Sequence, residues 1–116
     1  MSAHIEVDHR DAVGIARLSG DVDITQASVL RERLIGAVRN EDLGLVVDLT
    51  EASYVDSVGV SLLFELAERL TGRQLRFAVV LPQDGLIRRV MTIVDLESVA
   101  EVHGELEAAL AAMRQT

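Results

Sequence analysis

The 116-residue chain contains no cysteine. Disulfides, thiol nucleophiles and cysteine-bound metals are therefore excluded. It contains no lysine either, and all 11 basic residues are arginine. Schiff-base chemistry, lysine general bases and the lysine of a phosphate-binding P-loop go with it. Tryptophan is absent and aromatics make up 3% of the chain, so the core must be aliphatic, built from Val, Leu, Ile and Ala. No apolar run approaches the ~20 residues of a membrane span. The opening residues Met1-Ser2-Ala3-His4-Ile5-Glu6 lack the charged-then-apolar order of a secretory signal. These absences fit an intracellular protein, with the cytoplasm as the expected compartment.

Acidic residues outnumber basic ones 19 to 11, for a formal charge of −8. Phosphate backbones need clustered Lys and Arg, so this balance argues against nucleic acid as a partner. It argues equally against an anionic membrane surface and favours a basic partner. The length suits one domain, which at this size buries about two-thirds of its unfolded surface.

Ile5, Val7 and His9 alternate with charged residues, the pattern of a half-exposed edge strand. Val13 to Leu18 reads as its hairpin partner, and Gly20-Asp21-Val22-Asp23 as a turn, with Thr25 the expected N-cap of a first helix. Ala27, Leu30, Leu34, Ala37 and Val38 follow helical spacing until Asn40–Gly44. Leu45 to Leu49 is a continuous apolar run, as in a buried parallel strand. After a short loop a second helix starts at Ser57, with Gly59, Leu63, Leu66 and Leu70 inward and Gly72 as its C′ glycine. Leu75–Leu81 predicts a strand. A helix with Leu86, Ile87, Val90 and Val94 inward follows Pro82, then a short strand at Val99–Val102 and a helix at Glu105–Met113. Strands alternating with helices imply an α/β fold, a mixed, mostly parallel sheet flanked by about four helices in a single domain.

One segment carries chemistry. Ser57 follows Asp56 at the point where the buried strand has ended and a helix begins. The first-turn amides of a helix lack intrahelical partners and carry partial positive charge, so a phosphate on a serine there sits among donors. The simpler reading is that Asp56 or Ser57 is only an N-cap worth about 1 kcal/mol. Gly59, without a Cβ, leaves room for a partner to approach. Val60 and Phe64 offer an apolar edge, while a lone Tyr54 is more often core. The three histidines, His4, His9 and His103, have no metal-ligand spacing, and no Gly-x-Ser-x-Gly elbow is present. An enzyme is not expected, and no cofactor is implied.

Three segments resemble the STAS domain family of anti-sigma factor antagonists, and the likeness spans the whole chain, residues 1–116. They are Leu18-Ser19-Gly20-Asp21-Val22-Asp23 with Ala27, then Asp48-Leu49 with Tyr54-Val55-Asp56-Ser57-Val58-Gly59, and Gly85-Leu86-Ile87-Arg88-Arg89-Val90. The resemblance implies a STAS-like fold of the antagonist type. It implies that Ser57 is the phosphorylated serine and that Asp23 lies beside it. Val58 stands where the family usually carries Ser or Thr, which removes a second hydroxyl and leaves the acceptor intact. The implied partner surface is Asp23, Asp56, Ser57, Val58, Gly59, Val60 and Phe64. The implied mechanism is bacterial partner switching. The unphosphorylated protein binds an anti-sigma factor that is a serine kinase, the sigma factor is freed, phosphorylation of Ser57 ends the complex, and a phosphatase resets it. The alternative within the same family is an interaction module of a sensory assembly or another partner-switching pathway.

Overall fold

The structure is a computed structural model that describes residues 3–115; Met1, Ser2 and Thr116 of the expected domain lie outside it. β1 (His4–Arg10) and β2 (Val13–Val22) form the hairpin at the chain's start. Its two-residue turn, Asp11-Ala12, holds both residues at positive φ (51° and 64°), the twist-matched geometry of a tight hairpin. α1 (Ala27–Gly36), β3 (Gly44–Val55), α2 (Ser57–Gly72), β4 (Arg76–Val80), α3 (Leu86–Ile93), β5 (Glu101–His103) and α4 (Leu106–Arg114) follow.

The five strands lie in sequential order β1-β2-β3-β4-β5. β1 is antiparallel to β2 and every later pair is parallel, giving the mixed, mostly parallel sheet. Right-handed crossovers between sequential neighbours must place their helices on one face. The larger core accordingly joins Leu30 and Leu34 of α1, Leu63 and Leu66 of α2 and Met91 of α3 to Leu18, Leu45 and Leu49 of the strands. Each such leucine, fully buried, contributes about 1.5–3 kcal/mol of transfer free energy. α4 packs on the opposite face through Ala109, Leu110 and Met113, against Val13, Ile15 and Val46. Farther along that face, Arg17 and Thr50 are exposed.

A few polar contacts fix the layers. Arg31 Nε donates to both carboxylate oxygens of Glu65 (3.1 and 2.9 Å), joining α1 to α2. Arg76 makes two bonds to Glu101 (2.8 and 2.7 Å) and caps the end of α4 through the Ala112 carbonyl at 2.9 Å. Asp42, only 7% exposed, accepts from the Arg39 amide at 2.7 Å and meets the His9 ring at 2.8 Å. Burial alone would raise the Asp42 carboxyl, but these two hydrogen bonds and the neighbouring charges outweigh it and hold the group below its ordinary value.

Several boundaries differ from the sequence reading. Gly20–Val22 is no turn: β2 runs to Val22, and its register against β3 shifts twice, between Arg17 and Ser19 and between Gly20 and Asp21. β3 continues past Leu49 to Val55, because Asp21 and Val22 pair with Tyr54 and Val55. Thr25 is not an N-cap. Asp23 caps a 3₁₀ turn (Ile24–Gln26) by accepting from the Thr25 amide at 3.1 Å, and the Thr25 hydroxyl donates to the same oxygen. α1 ends at Gly36, before Asn40, although Ala37 and Val38 stay buried as expected. Gly72 is the last residue of α2 and not its C′ glycine; the left-handed position falls on Gln74 (φ 60°). The last strand is Glu101–His103, displaced from Val99–Val102 by a 3₁₀ turn at Leu96–Ser98.

Gly59 has no such freedom of assignment. A Cβ there would lie 2.8 Å from the Val22 carbonyl oxygen and 2.8 Å from Val55 Cγ1. The first turn of α2 is thus seated directly on the ends of β2 and β3. Gly59→Ala should lower stability by about 1–3 kcal/mol despite alanine's better helix propensity. Gly72→Ala, with no atom within 4 Å of the new Cβ, should be neutral or stabilising by up to about 1 kcal/mol. Thermal denaturation followed by circular dichroism separates the two.

Asp42 generates a pH dependence. A carboxyl held lower in the folded chain contributes stability above its unfolded value, about 3.9, and loses it as pH falls through the folded value. Asp42→Ala should cost about 1–3 kcal/mol at pH 7. In urea titrations its deficit against the unsubstituted protein should shrink as pH drops below about 4.

Candidate functional site

Asp56 organises the exposed end of the sheet. Its amide donates to the Val22 carbonyl at 3.1 Å, and its own carbonyl accepts from Val60 at 2.9 Å. One carboxylate oxygen caps α2 by accepting from the Gly59 amide at 2.9 Å. The other accepts from the Ile24 amide at 3.2 Å. A single side chain therefore binds the β2–α1 connection to the start of α2, and so brings the Asp23 segment alongside.

Ser57 is the first residue of α2 and is exposed. Asp56 takes up the Gly59 amide, while the amides of Ser57 and Val58 belong to the first turn and have no intrahelical acceptor. A hydroxyl in this place is accessible to a macromolecule and does not hold the core.

An apolar groove of about 500 Å³ opens beside it. Ser57, Val60 and Ser61 of α2 form one wall; Leu86 and Val90 of α3, with Val94 just past its end, form the other. Tyr54, at the end of β3, also lines it. The inward placement expected for Leu86, Ile87, Val90 and Val94 is corrected here: Ile87 packs partly against the core, and the others line the groove. Only Met91 is buried, while Leu86 is 63% exposed and Val94 36%. An eight-residue helix cannot bury five large apolar side chains against one edge of a sheet; Leu86 and Val90 face the groove, and Ile93 is exposed outside it. Tyr54, which the sequence reading weighted toward the core, is 48% exposed.

Of the residues singled out in advance, Asp56, Ser57 and Val60 meet at this groove. Asp23 stands on the adjoining turn with its carboxylate on Thr25. Val58 is half-buried. Gly59 is buried, and the space its missing Cβ leaves is filled from within by Val22 and Val55 and not open to a partner. Phe64 is half-buried and lines a separate depression with Val99. What the sequence reading missed is the α3 wall. Its signal was present as six apolar residues from Leu86 to Val94, too many for so short a segment to bury.

Among the described residues, no group of three or more His, Cys, Asp or Glu is arranged to hold a metal ion. No helix of the described chain is long and apolar enough to cross a membrane.

The chain is similar in sequence and in structure to several anti-sigma factor antagonists. The anti-sigma-F factor antagonist RsfB of Mycobacterium tuberculosis is 26% identical over 113 residues, 97% of this chain and 91% of its own length. The anti-sigma-B factor antagonist of Listeria monocytogenes is 29% identical over 109 residues, 91% of this chain and 96% of its own. The crystal structure of an anti-sigma factor antagonist from Mycobacterium paratuberculosis superposes with a TM-score of 0.88 at 27% identity, covering 98% of this chain and 96% of that one. The STAS domain model matches residues 4–109, nearly the whole described fold and every element of the groove, and the chain belongs to the STAS domain family.

Proposed function

We propose that this protein is an anti-sigma factor antagonist, a regulatory binding protein, whose docking on a serine-kinase anti-sigma factor is ended by phosphorylation of Ser57. One observation carries the reading: an exposed serine opens α2 at the lip of an apolar groove, on a backbone that Asp56 and Gly59 hold in place. The antagonist names of the relatives support the choice of partner.

In this reading the unmodified face, with Asp23, Asp56, Val58 and Val60 around Ser57, docks on the anti-sigma factor and the sigma factor is released. The kinase then transfers the γ-phosphoryl group of Mg·ATP to Ser57 Oγ; the hydroxyl proton leaves and ADP departs. The helix start tolerates the new group, because its amides and dipole favour an anion. The docked complex does not. A charge of about −2 beside Asp56, pressed into an interface, adds repulsion and desolvation. A loss of about 3 kcal/mol lowers affinity by roughly a hundredfold. A phosphatase restores the hydroxyl by hydrolysis. The protein acts in the cytoplasm, where its kinase and sigma factor are.

Incubation with the cognate kinase and Mg·ATP should place phosphate on Ser57 by phosphopeptide mass spectrometry, and Ser57→Ala should stay unmodified. Full phosphorylation of that variant would reassign the acceptor to another hydroxyl. Calorimetry should show Ser57→Ala binding the anti-sigma factor within a fewfold of the unsubstituted protein. Ser57→Asp, with one added charge, should bind about tenfold or more weakly. Equal affinities for all three, with the fold intact, would make Ser57 only a helix start.

A further inference from the structure

The groove beside Ser57 is lined by aliphatic side chains from two helices, and Asp56 is the one charged residue among those lining it. Asp23 adds a second carboxylate at the same end, held there by the Ile24–Asp56 hydrogen bond. Neither Arg88 nor Arg89 of α3 lines the groove, and Arg88 Nε donates to the Pro82 carbonyl. The trough is thus apolar along its length and acidic at the Ser57 end.

We propose that this groove takes an amphipathic helical segment of a partner protein, its aliphatic face inward and arginine or lysine at the Ser57 end. The proposal rests on the reading of this end of the sheet as the partner surface and names the chemistry of what docks there. Two helices with an open furrow between them suit a helix bearing anchors at i, i+4 and i+7. Leu86 and Val94 remain exposed along one wall, where a small-molecule pocket would enclose its ligand. Charge selects among the remaining occupants. A second copy would bring −8 against −8, and an anionic lipid surface meets the same repulsion. A basic helix satisfies both the apolar walls and the acidic end.

The chain's only tyrosine, Tyr54, lines this groove and there is no tryptophan, so intrinsic emission reports on occupancy. Two tyrosine-free synthetic peptides with the same leucine stripe, one flanked by arginine and one by glutamate, would be titrated into the intact protein. The arginine peptide should change the Tyr54 emission saturably, and its affinity should fall with added salt. The glutamate peptide should bind about tenfold or more weakly. The double variant Leu86→Gln/Val94→Gln should lose about tenfold in affinity for the arginine peptide, while Val29→Gln, an exposed apolar residue outside the groove, should lose none. Equal binding of the two peptides, binding of neither, or indifference to the double variant overturns the proposal. So does self-association in sedimentation that the double variant abolishes, since it gives the groove to a second copy. No anti-sigma factor is present in this assay. Its failure would leave the Ser57 switch standing on its own titrations, and failure of those titrations would leave the groove assignment standing.

Discussion

The carboxylate of Asp56 is the contact on which the exposed, Ser57 end of this molecule depends. It accepts from Gly59 within α2 and from Ile24 on the β2–α1 connection, 32 residues earlier in the chain. Hydrogen bonds to an ionised acceptor are about twice as strong as neutral ones, and here two backbone donors from separate segments share one side chain. Beneath it, the missing Cβ of Gly59 lets α2 sit within van der Waals reach of Val22 and Val55. Ser57 lies between these two constraints and takes part in neither. It can be modified without dismantling what holds it.

That separation would let the proposed switch act on a small fold without endangering it. The buried work is done by the leucines of α1 and α2 against β2 and β3, and by α4 on the far face. The exposed end has a different composition: carboxylates at Asp23 and Asp56, a hydroxyl at Ser57, and the unburied side of α3. A phosphate there changes the surface seen by a partner while the core is untouched. In the proposed switch, discrimination would come from the interface, where desolvated like charges are costly, and not from a refolding event.

Much of the fold was legible because aliphatic periodicity was clean. The stripe Leu63, Leu66 and Leu70 fixes α2, and Leu30 and Leu34 fix α1, since residues three and four apart share a face. The position of Ser57 at a helix start was legible for the same reason. The rest depended on information outside local pattern. The extension of β3 through Tyr54 follows from pairing with a bulged β2, and a glycine in a bulge looks like a glycine in a turn. Asp23 and Thr25 are both good caps, and only the backbone decides between them. Gly72 resembles a C′ residue until Gln74 is seen to carry the left-handed angle. The α3 wall was read as core because amphipathicity marks an apolar face without saying what covers it. Gly59 had been assigned room for a partner, and that room belongs to the protein's own strands.

The most direct measurement is a calorimetric titration of the purified anti-sigma factor with this protein before and after stoichiometric phosphorylation of Ser57, at one salt concentration and without nucleotide turnover. The account predicts a loss of about a hundredfold in affinity on phosphorylation, with the fold unchanged by circular dichroism. Equal affinity of the two forms would contradict it.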